Sequence, residues 1–384
     1  MTHVCSEMAP VNSGWMEAIL LTWGSRPGHE RGDFVVRIDL KTRPLGLASL
    51  LFASFILLNP TGFSQAKSAK ASVKVEAKAP RLVFRSNRGG AGNGLYLANA
   101  DGTNVKQLVE NLREVLGFQV NPRGDRIALI CDPDDMEQFE LTVLHLETKK
   151  EQTIHRGIRL APRWSRDGKR LAFMHYSSKW RIRITNPDVL IERPKQKHIG
   201  GDGAPSWFPG DKKIVFQSNR TGLLELFVAD TITGKATQLT KTKNSESSPS
   251  ISPDGKWIAY RQGSALCVVP KDGKPSRNLT KDLGKVTGYG WSPDSSRLVV
   301  GLKNESNIDL FVLGIKPNAS PLRLTKHKAE DYAPVWSPDG KRIAFTSERD
   351  GDAEVYTISD LGKDLRRVTK NKARDRSPQW LVSP

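Results

Sequence analysis

Four carboxylates and three histidines stand at matched phase along this chain. The tryptophan of the phrase "VWSPDG" serves as a phase mark, with equivalents at Val120, Trp164, Trp207, Ile251, Trp291, Trp336 and Trp380. Asp202, Glu246, Asp331 and Asp375 lie five residues before a mark, and His155, His198 and His327 lie nine before one. Carboxylates set round one mouth would bind a cation or a basic segment of a partner, and imidazoles could add metal ligands. The same residues could equally cap turns and solvate loops, because duplication of one unit places like residues in phase whatever they do. No cofactor is expected and no catalytic residue is assigned.

The marks recur every 40–45 residues. After each of the first six comes a tight polar turn ("NPRGD", "SRDGK", "FPGDK", "SPDGK", "SPDSS", "SPDGK") and then an apolar run such as "RIAFT". Each unit holds four strand-sized segments; around Trp336 they are "APVWS", "RIAFTS", "EVYTIS" and "LRRVTK". Proline presets φ, and glycine accepts positive φ in the turn. No stretch after residue 66 carries helical periodicity. Four strands per unit at this period predict an all-β chain, a β-propeller over 81–384. Its repeat core would be Trp164, Trp207, Trp291, Trp336 and Trp380. The first unit supplies only three strands, and the C-terminus supplies an orphan, "SPQWLVSP". Together they make one blade, so the reading is seven blades closed by pairing of the terminal strands, with six as the alternative.

The formal charge is +18. Residues 1–66 are balanced, so the excess lies in 67–384. Such a surface attracts polyanions in a salt-dependent way, although charge also simply maintains solubility. "LTK" recurs at Lys241, Lys281 and Lys326, with "VTK" at Lys370, placing lysines on outer strands where charge blocks edge pairing. "DPDDMEQFE" reads as a solvated hairpin tip, since it lacks the glycine and spacing of a calcium loop. Three cysteines show no metal-ligand spacing. Cys131 and Cys267 sit in apolar runs and read as buried small hydrophobes. No nucleic-acid motif is present.

"LGLASLLFASFILL" is too short to span a membrane. Basic residues precede it and Ser64 and Ala66 follow at signal-cleavage positions, so 37–66 reads as a signal peptide cleaved after Ala66. Residues 1–36 are then an upstream extension of doubtful translation, 67–80 a basic linker, and the mature protein periplasmic or secreted, without a transmembrane anchor.

The pattern "WSPDGKRIAF…VYTISD…RRVT…P.W" resembles the propeller repeat of the TolB family, which also occurs in the propellers of dipeptidyl peptidases and oligogalacturonate lyases. The resemblance covers 81–384. It implies a non-enzymatic extracytoplasmic binding protein that engages envelope or secreted proteins through loops at the channel mouth. Members of the family carry an α/β domain before a six-bladed propeller, whereas a linker precedes the units here. The alternative is a metal-assisted lyase or hydrolase acting on an anionic polysaccharide. No G-x-S-x-G elbow occurs.

Overall fold

The computed structural model describes residues 80–382, apart from 91, 110–113, 133–138, 159–161, 177–179, 189–200 and 274. The expected signal peptide, nearly all of the linker, most of the acidic hairpin tip and His198 lie outside the described residues. Glu76–Pro384 separates as one unit, and the fold below belongs to it. Among the described residues every regular element is a strand.

The chain begins with β1 (Arg81–Ser86), β2 (Gly94–Asn99) and β3 (Lys106–Gln107). There follow β4 (Val115–Val120), β5 (Arg126–Cys131), β6 (Phe139–His145), β7 (Glu151–Ile158), β8 (Arg163–Trp164), β9 (Leu171–Tyr176) and β10 (Trp180–Thr185). The next unit has β11 (Asp202–Trp207), β12 (Lys213–Thr221), β13 (Leu223–Asp230) and β14 (Ala236–Gln238). Another has β15 (Glu246–Ile251), β16 (Trp257–Gln262), β17 (Ala265–Pro270) and β18 (Arg277–Asn278). Then come β19 (Lys285–Trp291), β20 (Arg297–Lys303), β21 (Ile308–Gly314) and β22 (Leu322–Arg323). The last are β23 (Asp331–Trp336), β24 (Arg342–Ser347), β25 (Glu354–Ser359), β26 (Arg366–Arg367) and β27 (Asp375–Leu381).

Hydrogen bonding gathers these strands into antiparallel sheets, most of them simple four-stranded meanders. The exception joins two repeat units, β4–β7 and β8–β10, through the single pair Ile158↔His175. The closing sheet runs β27-β1-β2-β3, with Leu82 opposite Trp380 and Val83 opposite Gln379. The two ends of the propeller therefore share a sheet, as the orphan strand requires. The C-terminus also seats against the turn after β4: a Cβ on Gly124, at φ 71°, would lie 1.9 Å from the Val382 carbonyl.

Each sheet is apolar on both faces, so a sheet alone would leave both faces wet. The hydrophobic clusters lie between units instead. One joins Val83 and Leu95 to Val115 and Ile127, another joins Val299 and Leu310 to Trp336 and Ile343, and another joins Ala344 and Val355 to Leu82 and Trp380. The phase-mark tryptophans belong to these clusters. Trp164, Trp207, Trp336 and Trp380 are buried, while Trp291 is half-buried. A buried indole removes roughly 150–250 Å² from water, about 4–6 kcal/mol gross. In four units the indole N–H also ties the unit to the one before. Trp164 donates to the Gln119 carbonyl at 3.1 Å, Trp207 to Arg163 at 2.9 Å, Trp291 to Ser250 at 3.0 Å and Trp380 to Val335 at 3.2 Å.

The "SPDG" turn is held by more than proline and glycine. Ser337 Oγ donates to Asp339 at 2.5 Å, the Lys341 amide donates to the same carboxylate at 3.1 Å, and the Arg342 amide donates to Ser337 Oγ at 2.9 Å. The turns after Trp164, Ile251 and Trp291 repeat this set. The recurrent proline two residues before the mark also has a structural role. The residue ahead of it (Ala204, Ser248, Ala333 or Ser377) sits at φ 47–55°, where each inner strand bulges. Positive φ on a non-glycine residue, four times in phase, marks a built-in kink that re-aims the inner strand.

Lys241, Lys281, Lys326 and Lys370 are exposed, but they lie just beyond β14, β18, β22 and β26 and not on them. The threonine before each is the structural member. Its hydroxyl accepts a backbone N–H from the third strand, as Thr369 does from Val355 at 2.9 Å.

Candidate binding site on the inner strands

Asp202, Glu246, Asp331 and Asp375 open β11, β15, β23 and β27, the innermost strand of each sheet. All four are buried. Three are met by an arginine from the end of the adjoining strand, within the motif aromatic-x-Ser-x-Arg. Arg220 reaches Asp202 at 2.7 Å, Arg349 reaches both oxygens of Asp331 at 3.0 Å, and Arg88 reaches Asp375 at 2.6 Å. In each case the arginine Nε donates to the serine of the motif, at 3.0, 2.8 and 3.0 Å.

The guanidinium also lies over aromatic rings from two strands. Arg220 covers Phe216 and Phe227, Arg349 covers Phe345 and Tyr356, and Arg88 covers Phe84 and Tyr96, at 4.7–5.9 Å from the ring centroids. A carboxylate neutralised on one side and a cation–π contact on the other make a closed cassette. These groups are committed within the fold.

The cassette varies along the chain at one register position. Asp202 faces Ser218, Asp331 faces Ser347 and Asp375 faces Ser86. Glu246 faces Gln262, and no arginine follows there. Its carboxylate accepts from Thr240 and Thr242, and burial raises its pKa against those bonds. In two other units the position is apolar: Val115 faces Cys131, and Val286 faces Leu302. Val115, Cys131, Val286 and Leu302 are all buried.

The histidines do not share that layer. His155 lies on β7, with Nε2 3.0 Å from Arg183 Nη1 and its ring 4.6 Å from that of His175. His327 lies in the loop before β23, where its Nδ1 accepts the Ala329 amide at 3.1 Å. Among the described residues, no group of three or more His, Cys, Asp or Glu is arranged to hold a metal ion.

The first and second strands of the sheets also carry arginines and tyrosines, a feature the in-phase residues gave no hint of. Arg85 on β1 faces Arg376 on β27, and Arg261 on β16 faces Ser247 on β15. Arg163 on β8 keeps contact with solvent, yet desolvation by the surrounding strands lowers its pKa. That combination suits the wall of a propeller's central channel. Desolvation likewise pushes the Tyr289 phenol upward against the pull of Arg163 and Arg261, and its hydroxyl donates to the Ser248 and Ala259 carbonyls. The Tyr332 phenol is pushed up to about 12 by burial and then by Glu348, to which it donates at 3.3 Å.

A family model described as the TolB beta propeller domain matches residues 77–283 and 261–383. The Tol-Pal system protein TolB of Francisella tularensis subsp. tularensis is 30% identical over 191 residues, 47% of this chain and 42% of that protein. The protein TolB homolog of Chlorobium luteolum is 29% identical over 153 residues, 39% of this chain and 34% of that protein. The chain thus spans less than half the length of these two relatives. Among solved structures, TolB from Acinetobacter baumannii is similar with a TM-score of 0.51 at 18% identity, over 79% of this chain and 66% of that one. An oligogalacturonate lyase in complex with manganese is similar with a TM-score of 0.57 at 15% identity, over 77% and 87% of the two chains. Likeness at these identities speaks for the fold alone.

Proposed function

Because the chain belongs to the TolB beta propeller domain family, we propose that it is a non-enzymatic, extracytoplasmic binding propeller whose partners are proteins of the cell envelope. The single observation that carries this reading is the closed cassette. The in-phase carboxylates Asp202, Asp331 and Asp375 are each consumed by an internal arginine, so the repeated acidic residues serve as scaffold. Binding then falls to what varies between units: the loops at the channel mouth and the basic inner wall. One of the relatives is named as a protein of a Tol-Pal system, and that supports reading this chain too as one member of a multi-protein system.

The propeller has seven blades in this reading. Support comes from the inter-unit clusters, which lead from each repeat unit to the next and return to the closing sheet, and from the seven-stranded sheet that contains two units. Residues 37–66 act as the export signal, with cleavage after Ala66. The test is capture from envelope extract on immobilised protein, with mass spectrometry of the eluate. A defined envelope protein, retained at a fixed ratio and competed by free protein, is the expected result. Retention of polysaccharide alone would overturn the reading.

A further inference from the structure

We propose that Arg85 and Arg376 form a binding site for a compact dianion, a phosphate or a dicarboxylate, on the inner strands of the closing sheet. The two residues face each other directly in the β1/β27 ladder. Like charges so placed destabilise a sheet unless something lies between them. Among the described residues neither arginine has an ion pair within the protein. The adjacent carboxylate, Asp375, accepts from Arg88 and, at 2.7 Å, from Asn371 on one and the same oxygen, while its other oxygen is buried without a partner among the described residues. Glu114, the acid that acts on Arg85, accepts from Asn93 at 2.7 Å. Glu348 accepts from Tyr332.

Hydrogen bonding leaves donors over. Arg85 Nη1 donates to the Val115 and Leu116 carbonyls, which fixes the head group, while its Nε is buried. Arg376 Nε is likewise buried, and neither Nε has an acceptor among the described residues. An unpaired buried donor costs free energy; the Nε atoms are closed to solvent, so a bound oxyanion would meet the Nη groups of these half-buried side chains. Burial, and after it the Arg376 charge, lowers the pKa of Arg85, with Glu114 and Tyr332 pulling the other way. The Tyr332 phenol, from the neighbouring unit, lies close enough to Arg85 and Arg376 to interact with both. Planar guanidinium forks match phosphate and carboxylate oxygens bidentately. Two of them suit a doubly charged head, because a single carboxylate neutralises only one. The net charge of +18 favours delivery of such an anion. The site can be tested without a protein partner.

The test is thermal melting and calorimetric titration of the full chain at constant ionic strength, with inorganic phosphate, succinate and acetate. Phosphate or succinate should raise the melting temperature of the wild type clearly more than acetate does, and the stronger of the two names the source. Arg376→Gln should weaken that binding about tenfold or more, the loss of charge-assisted hydrogen bonds. Arg376→Lys, which keeps the charge but not the fork, should fall between. Without added anion, Arg376→Gln should melt no lower than the wild type, because repulsion is removed. The proposal fails if neither dianion shifts the wild type, if Arg376→Gln keeps the shift, or if ligand-free Arg376→Gln melts well below the wild type.

Discussion

Replacing Asp331 with valine should be costly alone and nearly free in the right company. Asp331 is fully buried and Arg349 keeps only 15% of its side chain exposed. Removing the carboxylate strands that guanidinium with its two hydrogen bonds unmade, and breaking a buried pair from one side costs about 3–5 kcal/mol. The chain itself holds the apolar solution, since Val286, Leu302 and Asn304 occupy the positions of Asp331, Ser347 and Arg349 one unit earlier. Exchanging a buried ion pair for packed apolar groups is often neutral or stabilising by about 1–4 kcal/mol. Asp331→Val/Ser347→Leu/Arg349→Asn should therefore regain most of the loss, short of the cation–π contacts with Phe345 and Tyr356. Urea unfolding with a common m-value is the assay. A single variant that loses under about 1 kcal/mol, or a triple variant as unstable as the single, would refute the closed cassette.

Two further predictions follow from the same geometry. Glu246 has a raised pKa in the fold, so between about pH 4.3 and that raised value the folded state binds more protons than the unfolded one. Its contribution to stability must then fall as pH climbs through that window, and Glu246→Gln should flatten this part of a stability–pH profile; an unchanged profile contradicts the assigned burial. Trp380→Phe forfeits the bond to Val335, whereas Trp336 Nε1 has no acceptor among the described residues. Chemical melts should therefore show Trp380→Phe costing about 1 kcal/mol more than Trp336→Phe, and equal losses would count against the inter-unit bond.

The fold was legible because a propeller repeats its instructions. Trp164, Trp207, Trp336 and Trp380 are core residues, and the orphan strand at the end has its partner at the start. The site was less legible. Asp202 reads as a candidate ligand until the ladder places Ser218 opposite it and Arg220 over it, 16 and 18 residues downstream. A signal did exist, since Phe84-x-Ser-x-Arg88, Phe216-x-Ser-x-Arg220 and Phe345-x-Ser-x-Arg349 recur in phase with the carboxylates. Pairing Arg85 with Arg376 was beyond reach of local pattern, because only closure brings the ends together and only register makes them opposite. His155 falls on a strand and His327 in a loop, because equal spacing from a mark does not fix the element on which a residue lies.

Closure of the propeller through β27 can be tested by truncating the chain before Asp375 and following unfolding by fluorescence and circular dichroism together. The sheet order β27-β1-β2-β3 predicts that the shortened protein loses its single cooperative transition, and that adding the 375–384 peptide in trans restores it. A truncated chain that melts at the same temperature and with the same sharpness as the intact one would contradict it.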